Sequence, residues 1–365
     1  MSLQIKWIRG NDKLPLDRPF TLLVQGVRGS GKSSLLERLG EISLKRGHMV
    51  FDMFAARDGE NLAWLRSPLV EDKKVLLLRG PNVDVDCSWP TISAEEVDLS
   101  IFDKYDLVIS AAPLYRNFSE EVYYIAKITD MLFHRIHWRK LIYVICREAS
   151  NLYYSRLKIA GDQLEAKAQL IYMLREARHS GITFALDSLR YKSIDVDVRA
   201  VCDYIVFKAQ GFSKIDRELR FLYRFFQPYS IQQMPPELFI ILSRRGCIGF
   251  GYFDEVTWHK KEKENILRAL GIKVEYGEEL KHGVDRGTFK TIGDLEHAEI
   301  IKAYMEEGLS MAALAERFKR SSGSIHRQIQ KHNAAVTRSG FCPPCKRAGN
   351  PYYNTVVKKT ARQSA

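Results

Sequence analysis

Phe20-Thr-Leu-Leu-Val-Gln-Gly26-Val-Arg-Gly29-Ser30-Gly31-Lys32-Ser33-Ser34 decides the fold. Its first half is a short apolar run that reads as a buried strand. Its second half fits G-x-x-x-x-G-K-[ST], between that strand and a predicted helix from Ser33 to about Arg46, the context that gives the motif meaning. Gly26, Gly29 and Gly31 permit turns closed to residues with a Cβ. Successive N–H groups of Gly26, Gly29, Ser30, Gly31, Lys32, Ser33 and Ser34 then form an anion nest at a helix N-terminus. Lys32 is placed to reach the outer phosphates of a nucleotide and Ser33 to offer its hydroxyl to Mg²⁺. No Asn-Lys-x-Asp guanine-reading motif is present, so ATP is the expected nucleotide.

Outward from this stretch, strands and helices alternate. Met49–Phe54, Lys74–Arg79, Asp106–Ser110, Leu141–Cys146, Ile182–Leu186 and Tyr204–Phe207 are apolar enough for strands buried on both faces. Glu120–Ile136 and Gln163–His179 carry helical periodicity. The pattern predicts an α/β fold whose mostly parallel sheet is covered by helices. Beyond Gly211 we expect a helix over Phe212–Phe226, a hairpin over Phe239–Phe253 turning near Arg245-Gly246, and a charged connector over Trp258–Lys290.

The chain has 365 residues, 45% hydrophobic and 27% charged, which excludes a collagen, a wholly disordered chain and a membrane bundle. Its apolar runs are strand-sized, so no membrane segment is expected, and the N-terminus lacks a signal-peptide core. A cytoplasmic protein is the default. The net charge is +12, and residues 317–365 hold 11 Lys or Arg with no Asp or Glu. Such a basic end suits a polyanion, or is a solvated tail. Cys87, Cys146, Cys202 and Cys247 read as small core residues.

Three segments together carry a family resemblance. Leu141-Ile-Tyr-Val-Ile-Cys-Arg147-Glu148-Ala149 resembles the Asp-Glu-Ala strand end of the FtsK/HerA-type pumping ATPases, including viral DNA-packaging ATPases. Leu174-Arg-Glu-Ala-Arg178-His179 is similar to the Arg-His segment before their next strand. Ser188-Leu189-Arg190, followed by Arg199 and Asp203–Phe207, resembles their Thr-Gln-Arg stretch. The resemblance covers about residues 18–253 and implies a RecA-like P-loop NTPase that uses ATP and Mg²⁺. It implies Glu148 as catalytic glutamate, Lys32 on the phosphates, and Arg178 as an arginine acting on a neighbouring subunit's site, hence a homo-oligomeric ring.

Two positions depart from that pattern. Arg147 stands where the family has Asp, and Leu189 where it has Gln. A fixed positive charge at position 147 opposes a metal there. Mg²⁺ held through Ser33 and water alone, Asp187 supplying the carboxylate and pairing with Arg147, and ATP bound but hardly turned over are the readings. Active hydrolysis is favoured because Glu148 and Arg178 remain. Asp52 reads as structural.

At the C-terminal end, Ala298–Met305, Ser310–Phe318 with Ser310 as N-cap, and Ser322–His332 read as three helices sharing a small core of Leu309, Leu314, Phe318, Ile325 and Ile329. They resemble the helix-turn-helix of resolvase-type and sigma-like DNA-binding domains, which places Arg320, Ser322, Ser324, Arg327, Gln328 and Lys331 on DNA. A helical protein–protein module is the competing reading. Cys342-Pro-Pro-Cys345 is half a zinc knuckle, short of the four ligands a structural zinc needs. His326 and His332 lie nearby on a helix already assigned, and a tail with two free thiols fits as well.

The expected organisation is therefore a P-loop ATPase domain over 1–255, a charged connector over 256–292, a small all-α helix-turn-helix domain over 293–336 and a flexible basic tail over 337–365. The expected function is ATP-driven translocation or packaging of duplex DNA, in the cytoplasm or, for a viral protein, with the virion during assembly. An ATP-gated DNA-binding regulator or transposition accessory protein with slow hydrolysis is the alternative.

Overall fold

The computed structural model describes residues 3–54, 58–133, 140–154, 163–177, 179–212, 215–259, 265–277, 293–318, 320 and 322–357. The chain divides into two compact units, Met1–Glu279 and Leu280–Ala365.

The first unit is built on strands β1 (Leu3–Arg9), β2 (Thr21–Gln25), β3 (Met49–Phe54), β4 (Val75–Arg79), β5 (Val83–Asp86), β6 (Thr91–Ser93), β7 (Leu107–Ser110), β8 (Ile142–Cys146), β9 (Ile182–Ser188), β10 (Tyr204–Phe207), β11 (Leu238–Ser243), β12 (Ile248–Phe253) and β13 (Lys273–Tyr276). Eleven of these form one sheet in the order β1-β12-β11-β10-β2-β9-β8-β3-β7-β4-β6, and β13 pairs with β5 apart from it. From β10 to β6 every pairing is parallel, whereas β10, β11, β12 and β1 pair antiparallel. The α/β expectation thus holds. β2, β3, β8 and β9 are buried along their whole length, which is why they read as unbroken apolar runs. The parallel ends of β2, β9, β8 and β3 converge on one edge, where the phosphate loop opens into the helix Lys32–Lys45.

Three expectations for the first unit need correction. The segment from Val256 is no connector: Val256, Trp258, Ile266 and Ile272 are buried in the main core, and β13 follows. The Phe212–Phe226 helix is a 3-10 run over Arg217–Arg224 that buries Leu219 and Leu222. Arg147 does not pair with Asp187. β8 and β9 are neighbours, with Cys146 opposite Leu186, so the two residues follow in register. The Arg147 N–H, however, donates to the Phe54 carbonyl at 2.9 Å, and its side chain turns to the helix Lys32–Lys45.

There the guanidinium, fully buried, meets three carboxylates. Nη1 reaches Glu37 at 2.7 Å, Nη2 reaches Asp52 at 2.6 Å, and Nη1 lies 3.4 Å from Glu60. The Trp64 indole donates to Asp52 at 2.9 Å, and His259 contacts Glu37 at 2.7 Å and Glu60 at 3.2 Å. Burial opposes a charged His259, but Glu37 and Glu60 outweigh it and raise its ring to about 9. Trp258 stacks on Trp64 with centroids 4.6 Å apart and donates to Glu41, while Arg38 binds the carbonyls of Asp254 and Glu255. Asp52 is structural, as expected, and lies within β3.

Removing one partner from a buried ion pair leaves an uncompensated charge, at a cost of about 3–5 kcal/mol. Arg147→Met should lower the urea midpoint accordingly, and the exchange Arg147→Asp with Asp187→Arg should yield no folded protein. An unchanged midpoint for Arg147→Met would show that the cage carries no stability.

The second unit holds helices Asp294–Glu306, Met311–Arg317, Ser322–Ser339 and Pro343–Arg347. Ser310 caps the second, its hydroxyl accepting from the Ala313 N–H at 3.2 Å, as its sequence position predicts. Residues 337–357 are not a flexible tail. Cys342, Cys345 and Val357 are buried in the unit's core with Ile300, Ile301, Leu314, Ile325 and Val336, and Asn333 exchanges two 2.8 Å hydrogen bonds with Val357.

Candidate nucleotide site and basic helix

The phosphate loop is shaped by what its glycines avoid. A Cβ on Gly31 would lie 2.5 Å from the Pro236 carbonyl oxygen, and one on Gly26 would lie 2.6 Å from Ser30 Oγ and 2.7 Å from Lys208 Cβ. Gly29 and Gly31 also take left-handed backbone, φ 74° and 82°. The loop is pinned at its start: Gly26 N–H donates to Ser188 and Val27 N–H to Ala209. Lys32 Nζ donates to the Val27 carbonyl at 3.2 Å. Ser30 is buried, and its hydroxyl has no hydrogen-bond partner.

Around this loop stand three carboxylates. Asp187, at the end of β9, is buried; that burial, against the pull of Lys32, lifts its carboxyl to about 6. It accepts the Glu148 N–H at 2.6 Å. Glu148 follows β8, is exposed, and is the one described non-glycine residue with positive φ, at 47°. A left-handed glutamate is uncommon and persists only where its surroundings hold it; the hydrogen bond to Asp187 is such a restraint. Glu60 was not foreseen. It opens a 3-10 helix after β3, and despite its burial the hydrogen bonds of His259 and Ser33 and the charge of Arg147 hold it well below the usual carboxylate range. The Ser33 hydroxyl therefore lies against a carboxylate that no motif announces.

Lys208 was also unmarked in the sequence. It ends β10 behind the loop, fully buried, with its amine on the carbonyls of Pro236 and Leu238 and 4.6 Å from the Phe253 ring. Burial pushes it down to about 7. Leu189 is half exposed after β9, and Arg199 lies over Tyr191 and 3.3 Å from Glu218. Arg178 lies outside the described residues, as does the Ser322 side chain.

In the second unit the six expected DNA contacts separate. Arg327 and Lys331 are exposed on the third helix, and Arg338 continues their row at i, i+4, i+11. Ser324 is half-buried. Arg320 instead grips Glu296 with two hydrogen bonds, 2.7 and 2.8 Å. Gln328 bonds the His297 ring at 2.9 Å. Arg317 and Arg347 likewise pair with Glu307 and Asp294, so part of the terminal positive charge is neutralised by acids of the first helix and its end.

No family model matches the chain, and no curated protein matches it. Among solved structures it is similar to B204, the DNA-packaging ATPase from Sulfolobus turreted icosahedral virus, at 16% identity, TM-score 0.40, over 66% of this chain and 100% of that one. The genome-packaging NTPase B204 from Sulfolobus turreted icosahedral virus 2 with ATP-gammaS matches at 15% identity and TM-score 0.38 over 66% of this chain and 100% of that one. The pCW3 conjugation coupling protein TcpA matches at 14% identity and TM-score 0.40, over 68% of this chain and 65% of that one.

Because Lys32 is half-buried and donates to the Val27 carbonyl of its own loop, Lys32→Ala should shift the thermal midpoint little. Nucleotide turnover should fall by about 10²–10³, the scale on which one anion-stabilising donor counts. Wild-type nucleotide affinity in this variant would remove the loop's assignment.

Proposed function

We propose that the chain is a DNA-associated ATPase that moves duplex DNA, working as a homo-oligomeric ring with DNA gathered by its C-terminal helices. One observation carries the reading: Glu148, in left-handed backbone and braced by Asp187, stands at the same sheet edge as a loop that only glycines can form. Lys32, the unpartnered Ser30 hydroxyl and the N–H groups of the loop suit a triphosphate. Ser33, with Glu60 beside it and Asp187 near Lys32, suits Mg²⁺, which would supply charge neutralisation on the phosphates. Asp187 takes the carboxylate role that the Arg147 position lacks, and the Arg147 charge is spent on Glu37 and Asp52. Glu148 is free of such ties and accepts the proton of the attacking water. Arg178 completes a neighbour's site in this reading.

Glu148→Gln should keep nucleotide binding and lose about 10²–10⁴ in turnover, the range for a general base. Wild-type turnover should rise with duplex DNA. Turnover that ignores both the substitution and DNA would favour the ATP-gated regulator, in which nucleotide sets assembly alone.

Of the expected DNA contacts, exposed Arg327 and Lys331 remain in this reading, with Ser322 and Ser324 at the helix start, and exposed Arg338 extends their row. Replacing Arg327 and Lys331 with Ala in the full chain should weaken duplex binding and reduce its salt slope by about 1 per lost phosphate contact. Arg320→Ala and Gln328→Ala should act through the stability of the unit instead. Equal affinity and slope for the Arg327/Lys331 variant would make the unit a protein-docking module.

A further inference from the structure

The C-terminal unit contains four buried groups that an apolar core does not explain. His297 lies in the first turn of the helix Asp294–Glu306, and His332 lies midway along Ser322–Ser339. Cys342 and Cys345 flank the start of the short helix Pro343–Arg347. One ligand atom from each comes within 4.8 Å of all the others. The Cys342 sulfur is 3.4 Å from His297 Nε2, and the Cys345 sulfur is 3.3 Å from His332 Nδ1.

The outer nitrogens are already committed. His297 Nδ1 bonds the Gln328 side-chain oxygen at 2.9 Å, and His332 Nε2 bonds the Thr355 carbonyl at 2.9 Å. Each oxygen demands a proton on the nitrogen facing it. The neutral ring then presents its lone pair on the other nitrogen, toward the sulfurs. Two thiols and two oriented lone pairs thus converge on one point. Zn–S of ~2.3 Å and Zn–N of ~2.0 Å at the tetrahedral angle separate sulfur from nitrogen by about 3.5 Å, close to both measured contacts.

We propose that His297, His332, Cys342 and Cys345 form a structural zinc site. Two thiolates neutralise the ion's charge, so the buried centre carries none. Soft sulfur with imidazole in tetrahedral array selects Zn²⁺ over Mg²⁺ or Ca²⁺. All four positions are protein ligands, which leaves no open position for catalysis. The ion joins the first helix, the third helix and the segment after it. The unit's apolar core is small, and small cores draw on such staples. Gln328 becomes a positioning residue that aims His297, and the basic row of Arg327 and Lys331 stays outside the site.

The site is tested on full-length protein prepared under reductant without chelator. Metal analysis should give about one zinc per chain, and exchange with Co²⁺ should produce the intense visible bands of a tetrahedral thiolate–imidazole centre. Cys342→Ser, Cys345→Ser and His297→Ala should each lower zinc retention at least tenfold, whereas His326→Ala, exposed on the helix that carries His332, should retain it. Where a variant precipitates, the wild-type cobalt spectrum decides. Wild-type protein with neither zinc nor the cobalt spectrum would overturn the site. So would a Cys342–Cys345 disulfide persisting in reductant, or full zinc retention by His297→Ala.

Discussion

The first unit depends on one buried guanidinium. Arg147 gathers Glu37 from the helix after the phosphate loop, Asp52 from β3 and Glu60 from the turn that follows β3. Without it, Asp52 would stand fully buried with no counter-charge, and buried Glu37 would keep His259 alone. The same helix is fastened along its flank by His259, Trp258 and the carbonyls that hold Arg38. A phosphate loop acts through N–H groups aimed to a fraction of an ångström, and those groups ride on this helix. The cage beneath the helix therefore sets the aim of the loop above it. An arginine where a metal-facing acid is expected is, in this fold, part of the foundation of the glycine-rich loop.

How much of this was legible follows from which physics is local. The central strands were readable because a strand covered on both faces must be apolar throughout, and β3 and β10 fall where the sequence puts them. The phosphate loop was readable because its glycines are fixed by backbone geometry within nine residues. The cage was not. Its members come from positions 37, 52, 60, 147 and 259, and each alone resembles a surface charge. Only the register of β8 against β9 and the turn of Arg147 toward β3 show that the side chain goes inward, away from Asp187. Strand β1 was missed for a related reason: it is a half-exposed edge strand whose mixed composition gives no apolar run.

The C-terminal unit shows the same limit from the other side. The C-x-x-C pair was visible, but one of the two histidines that meet it, His297, lies 45 residues before Cys342. Gln328, on a polar helix face, and Arg320, in the turn before that helix, looked like readers of an external partner. In the fold that face is shared, one part turned to Glu296 and His297 and another to solvent. Sequence periodicity gives the face of a helix; it does not say what lies across from it.

The place of β1 has a consequence during synthesis. Leu3 pairs with Phe253, and β12, to which β1 binds, pairs in turn with β11. A ribosome must therefore deliver some two hundred and fifty residues between β1 and the strand that pairs with it. Until then β1 stays unpaired in the emerging chain, while the parallel strands that follow it can assemble only by long crossovers. Strands waiting in this way are the natural clients of holding chaperones. The time β1 waits unpaired is thus set by synthesis of the residues between it and β12, and not by the stability of the finished molecule.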